Sequence, residues 1–130
     1  MTSRPADNLQ TLRILVVEDQ ILLADLAQDM LMDAGASDVL IASGVKDALA
    51  ALTNGQSIHA AVIDLNLGDH FGDSLADTLL SQKVPFIFVT GYGRDALLGE
   101  HLKHVPLLPK PYTAEMLIEA LSSAIAGSRA

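Results

Sequence analysis

Five times along this chain a short apolar run is followed by a stretch of different character, and that alternation limits the possible folds more than any other feature. The runs are "RILVVE" (13–18), "SDVLIAS" (37–43), "IHAAVIDLN" (58–66), "PFIFVTG" (85–91) and "PLLPK" (106–110). The first, "RILVVE", is a continuous apolar run too short for a helix. Between and after them come segments with helical spacing. In "DQILLADLAQDMLMDAG", Leu22, Leu23, Leu26, Met30 and Leu31 recur at that spacing, and Gly35 stands where a helix should stop. In 44–55, Val45, Leu49 and Leu52 share a face and the segment closes at Asn54-Gly55. In 72–83, Leu75, Leu79 and Leu80 are expected to face inward. A weaker helix is expected over 94–105, interrupted by Gly99, and a last one over 113–127 with Thr113 as N-cap and Glu115 and Glu119 in its N-terminal half.

Strand-helix units in series imply a parallel sheet covered on both faces. The first, third and fourth runs are nearly uninterrupted apolar sequence, as burial on two sides demands. "PLLPK" carries two prolines, each lacking a ladder donor, so this strand belongs at an edge. The expected fold is α/β: five parallel strands in the flavodoxin-like order 2-1-3-4-5, with helices on both faces. One domain of 130 residues is expected, its core spanning about 12–127.

Composition removes several classes of function. Half the residues are hydrophobic, but only five are aromatic and none is Trp, so the core must be aliphatic. A net charge of −8 argues against a nucleic-acid footprint, which needs a basic face. Without cysteine there is neither a disulfide nor a thiolate metal site. No apolar run approaches the ~18 residues that span a bilayer, and "MTSRPADNLQT" lacks the apolar stretch of a signal peptide. A cytoplasmic domain with no nucleic-acid or membrane partner is expected.

In open α/β sheets the ligand site lies beyond the carboxyl ends of the strands. There the first strand ends in Glu18-Asp19, the third in Asp64, the fourth in Thr90-Gly91 and the fifth in Lys110-Pro111. Three carboxylates on one rim repel, by ~4 kcal/mol per pair at ~4 Å in a surface-like dielectric. A hard divalent cation with oxygen ligands, such as Mg²⁺, would offset this. So would Lys110, a mobile point charge suited to a phosphoryl oxygen. An Asp beside both is a reasonable nucleophile toward phosphorus. Taken singly, Thr90 is an ordinary strand threonine, Lys110-Pro111 a turn, and Asp19 or Asp64 a cap; their shared position at the same end of four strands changes the odds. His59, His70, His101 and His104 show no ligand spacing and are read as surface or satisfied histidines.

"VVEDQ", "VIDLNLG", "FVTGYG" and "PKPY", in that order, resemble the response-regulator receiver domain of two-component signalling. The resemblance covers about 12–127. It implies Asp64 as phosphoacceptor, Asp19 as direct ligand of Mg²⁺ (or Mn²⁺), Glu18 as a ligand through water, and the Asn66 backbone carbonyl as a further ligand. It implies Thr90 as switch hydroxyl, with Gly91 beside it, Lys110 as phosphate-binding amine and a cis Lys110-Pro111 bond. The implied donor is a sensor histidine kinase or a histidine phosphotransfer protein. The implied output is a protein–protein contact, since no output domain is expected after residue 130.

Three features depart from the family pattern. "LNLGDHFGD" after Asp64 has Gly68 where a proline is usual. Leu107 occupies the place of the switch aromatic, with Tyr92 and Tyr112 as candidate substitutes. The stretch from Thr90 to Lys110 is short and carries Gly91, Gly93 and Gly99, so a mobile helix over 93–104 is expected, ordered by phosphorylation or a partner. "PFIFVTGYG" is similar to the signature of an α-proteobacterial subgroup with a Phe-Ala-Thr-Gly core, whose members are often stand-alone receivers paired with HWE-type kinases. A pseudoreceiver that is never phosphorylated is the principal rival. A Mg²⁺-dependent aspartyl-phosphate phosphatase is another, but it needs an acid at position 66, where Asn stands. A flavodoxin-like cofactor binder fits poorly with acids at the strand ends.

Overall fold

Two apolar layers sandwich a single sheet, and each layer is drawn from alternate residues of the same strands. A computed structural model describes residues 9–65, 73–91, 102 and 104–128. Its strands are β1 (Arg13–Val17), β2 (Asp38–Ala42), β3 (Ala60–Asp64), β4 (Phe86–Thr90) and β5 (Leu107–Pro109). Among the described residues the helices are α1 (Ile21–Asp33), α2 (Val45–Thr53), α3 (Asp73–Ser81) and α4 (Ala114–Ser128). All strand pairs are parallel, in the order β2-β1-β3-β4-β5. The expected fold and the edge position of the proline-bearing strand are both observed. The helix expected over 94–105 falls almost wholly outside the described residues, so the mobility expected there does too.

Because strand side chains alternate faces, Ile14, Val16, Val62, Ile87 and Val89 join Leu31 of α1 and Leu117 and Leu121 of α4 in one cluster. Leu15, Val17, Ala61, Ile63 and Phe88 join Leu52 of α2 and Leu75 and Leu79 of α3 in the other. β3 and β4 are buried along their full length. This burial fixes the register that carries the strand ends to one rim: Ile63 pairs with Phe88, Asp64 with Val89, and Thr90 with Pro109.

One inward assignment needs correction, in α3, and α1 shows which of its periodic residues face the core. Along α1 the buried residues are Ala24, Ala27 and Leu31, while Leu22 and Leu26 are exposed. The small alanines let the helix lie close to the sheet, and that turns the bulkier leucines outward. In α3, Leu75, Ala76 and Leu79 are buried but Leu80 is exposed, because it stands about 100° round the helix from Leu79, beyond the edge of the buried face.

Two helix ends repeat one motif. After α1, Ala36 N–H donates to the Leu31 carbonyl and Gly35 N–H to that of Met32, with Gly35 at φ +105°. After α3, Val84 N–H donates to Leu79 and Lys83 N–H to Leu80, with Lys83 at φ +59°. Both are Schellman closures, in which a left-handed residue is usually glycine. At its start, α4 is capped as expected: Met116 N–H donates to Thr113 Oγ1 at 3.1 Å.

Candidate functional site

The rim at the carboxyl ends of β1, β3, β4 and β5 gathers what the sequence places there. Glu18 follows β1 and is anchored twice: its N–H donates to the Ala42 carbonyl at 3.0 Å, and its Oε2 accepts from Gln20 N–H at 3.1 Å. Asp64 ends β3 and is 2 % exposed. Lys110 leaves β5, its N–H donating to the Thr90 carbonyl at 2.8 Å, and precedes a cis Lys110-Pro111 bond. Its ammonium lies 3.2 Å from Asp64 Oδ2 and 3.3 Å from Glu18 Oε1. Thr90 is buried at the end of β4, and exposed Gly91 follows it.

Glu18, Asp19 and Asp64 each offer a carboxylate oxygen, and these oxygens lie within 4.8 Å of one another. Glu18 and Asp64 are buried, whereas Asp19 is exposed and forms the mouth of the cluster. The electrostatics show what this crowding costs. Burial first, then a hydrogen bond shared with Asp64, pushes the Glu18 carboxyl up to about 7; the Gln20 N–H and the Lys110 charge pull against it. Lys110 is pushed the other way by burial, but Asp64 and Glu18 outweigh this and raise it above the usual lysine range. One ammonium thus offsets one of two buried acids and leaves the second inclined to keep its proton.

That donor set fits a hard divalent cation. All three groups are carboxylates, as oxygen-seeking ions prefer. A cation would also supply the charge that Lys110 alone cannot. Asn66, implied as a further ligand through its carbonyl, lies outside the described residues, as do His70, Gly68 and Tyr92.

The place of the switch aromatic is occupied as the sequence indicates. Leu107 is half-buried against the cluster formed with α2 and α3. Tyr112 is half-buried and packs instead against the cluster formed with α1 and α4. Its phenol is raised by burial, lowered by Lys110 and raised by Glu18 and Asp64, so the ring lies within electrostatic reach of the site. His59 is satisfied, its Nδ1 accepting from Arg13 N–H at 2.9 Å.

Sequence reasoning missed one feature of the rim. Ile21, Leu22 and Leu26 are 77 %, 77 % and 53 % exposed on α1, immediately after Asp19. The adjacency of Ile21, Leu22 and Leu23 was an available signal, since three successive helical residues cannot all face one core. Beside them Asp25, Asp29 and Asp33 are exposed at successive four-residue intervals, a like-charge spacing that weakens a helix.

Comparison with known proteins agrees with this geometry. The sequence profile of the response regulator receiver domain matches residues 14–122. The chain is 30 % identical over 126 residues to the sensor protein TorS of Escherichia coli, covering 93 % of this chain and 14 % of that much longer protein. Among solved structures, the BeF3-activated conformation of SdrG from Pseudomonas melonis is similar at 32 % identity and TM-score 0.73, covering 87 % of this chain and 95 % of that one. The response regulator PhyR from Brucella abortus is similar at 26 % identity and TM-score 0.77, covering 96 % of this chain and 52 % of that one. A response regulator receiver protein from Sinorhizobium medicae shares the fold at TM-score 0.76 and 23 % identity, covering 92 % of this chain and 98 % of that one.

Proposed function

This chain belongs to the response regulator receiver domain family of two-component signalling, and from that premise we propose that it accepts a phosphoryl group on Asp64 and signals through protein contact. The donor is a sensor histidine kinase or a histidine phosphotransfer protein. One observation carries the reading: the buried Asp64 carboxylate has the Lys110 ammonium 3.2 Å away and the Glu18 and Asp19 oxygens within 4.8 Å.

Asp64 attacks phosphorus through a carboxylate oxygen. The new O–P bond forms as the donor's N–P bond breaks, and the electron pair returns to the donor's imidazole nitrogen. Lys110 holds the charge that gathers on the phosphoryl oxygens and positions Asp64 beforehand. Thr90 donates its hydroxyl to a phosphoryl oxygen once the group is in place. Glu18, Asp19 and Asp64 would hold Mg²⁺ (or Mn²⁺), which when bound neutralises the carboxylates and the transferring group. The chain acts as an acceptor that helps its own phosphorylation and dephosphorylation and is not an enzyme acting on a separate substrate.

The donor docks on the outer face of α1. Ile21, Leu22 and Leu26 offer apolar area next to Asp19, and the Asp25, Asp29 and Asp33 stripe suits basic side chains on the donor. The strand-4 sequence "PFIFVTG" supports the subgroup with a Phe-Ala-Thr-Gly core, and with it a kinase of HWE type and a cytoplasmic setting.

Intact mass after incubation with Mg²⁺ and acetyl phosphate tests the reading. A single phosphoryl adduct is expected, absent in Asp64→Ala and lost on chelation. Turnover of donor with no adduct would indicate a phosphatase, and no reaction at all a binding module.

A further inference from the structure

At the opposite end of the sheet from Asp64, the N-terminal ends of β4 and β5 open onto a cavity of about 450 Å³. That volume lies within the ~300–1,000 Å³ range of small-molecule sites. Its walls are mostly apolar and include Leu80, Val84, Phe86, Val105 and Ala124. Its charged or titratable lining is Lys83 and His104, both exposed. No acidic side chain among the described residues lines it, although acids outnumber Lys and Arg 16 to 8 in this chain.

Lys83 is also a conformational anomaly. It occupies the left-handed position of the closure after α3, at φ +59°, and the matching position after α1 is Gly35. A side chain with a Cβ is strained in that region. A cation beside the last carbonyls of a helix recovers part of that strain. The same interaction is open to lysines at neighbouring positions with ordinary backbone, so helix-end charge alone does not require this placement. The strained slot does put the cation at the mouth of the cavity.

We propose that this cavity binds a small amphipathic carboxylate, with its apolar body against Leu80, Phe86 and Val105 and its charge beside Lys83 and His104. The site is separate from the carboxylate rim and does not depend on phosphorylation. β4 links the two, since Phe86 lines the cavity and Thr90 ends at the rim.

The test is NMR titration with 4-phenylbutyrate and with its uncharged analogue 4-phenylbutanol, up to about 5 mM each. The carboxylate is expected to shift resonances of Val84, Phe86, Val105 and Ala124 and to bind roughly fivefold more tightly than the alcohol. Lys83→Gly is expected to hold or raise the Tm, because glycine suits the left-handed slot, while erasing the preference for the carboxylate. Lys83→Arg should keep the preference, separating charge recognition from helix closure. Equal affinity for both compounds would overturn the proposal, as would an absence of shifts at these residues. Shifts produced there only by an acidic apolar peptide, and not by phenylbutyrate, would overturn it as well.

Discussion

Lys110 Nζ sits 3.2 Å from Asp64 Oδ2 although 46 positions separate the two residues, and the same nitrogen lies 3.3 Å from Glu18. Pairing a buried acid with a single mobile cation makes the acid stable without making it inert. The ammonium can follow an oxygen from the carboxylate to a phosphoryl group.

Lys110→Met should therefore destabilise the metal-free protein. Removing one partner of a buried pair typically costs ~3–5 kcal/mol. Here Glu18 can take up a proton and relieve part of the repulsion, so about 2 kcal/mol is expected. Urea denaturation at pH 7.5 in chelator measures it, and added Mg²⁺ should recover most of the loss. An unchanged midpoint would mean that the ion pair does not form in solution.

Glu18 gives the metal-free protein a pH dependence of unusual sign. Its carboxyl is held near 7 in the folded chain against 4.5 ordinarily, first by burial and then by Asp64. Between those values the native state keeps a proton that the unfolded chain releases. The stability this contributes is full below about 4.5 and is lost as pH rises through 7. The loss is on the order of 3 kcal/mol at most. Subtracting the Glu18→Gln profile from that of the wild type isolates the effect. A difference that stays flat from pH 4.5 to 8 would show that Glu18 titrates normally.

Mg²⁺ should reverse that trend, since it favours the charged forms of all three acids. At a hundredfold excess over Kd, binding adds ~3 kcal/mol to stability. Asp19 is exposed, so Asp19→Asn should leave the metal-free stability within about 0.5 kcal/mol while removing most of the Mg²⁺ increment. Thermal melts with and without Mg²⁺ give both numbers. An equal increment in the variant would place the ion elsewhere.

The fold was legible because its signal is one of sequence order: β1, β3 and β4 are apolar runs with no alternation, and the prolines around β5 admit only an edge. The rim followed from topology, which sends Glu18, Asp19, Asp64, Thr90 and Lys110 to the same end. Which acid the lysine meets was not legible, because it depends on rotamers and on the turn after β5. The inward face of α3 was misread, and that of α1 left unassigned, for a different reason. Leucine spacing identifies a helix, but small residues such as Ala24, Ala27 and Ala76 decide how closely it approaches the sheet, and so which leucines are left outside. The cavity lined by Lys83 and His104 had no sequence signal at all, since it joins residues from α3, the start of β4, the approach to β5 and α4.

On the proposed reading, substitutions on the outer face of α1 separate transfer chemistry from partner recognition. Ile21 and Leu22 are each 77 % exposed, so their burial does nothing for the free domain, and the Asp25, Asp29 and Asp33 ladder costs the helix a few tenths of a kcal/mol per pair. A second copy of this chain would set one acidic ladder against another, so a basic partner is the better match. Leu22→Ser should leave the urea midpoint nearly unchanged, whereas Leu31→Ala, fully buried on the same helix, should cost ~2–5 kcal/mol. Acetyl phosphate needs no docking surface, so Leu22→Ser should take up its phosphoryl group at the wild-type rate. Transfer from a phosphorylated histidine kinase should fall about tenfold, and raising the salt concentration should slow the wild-type transfer but not the acetyl phosphate reaction. Equal loss with both donors would mean that the substitution disturbs Asp19 and Asp64, and that α1 is not the docking face.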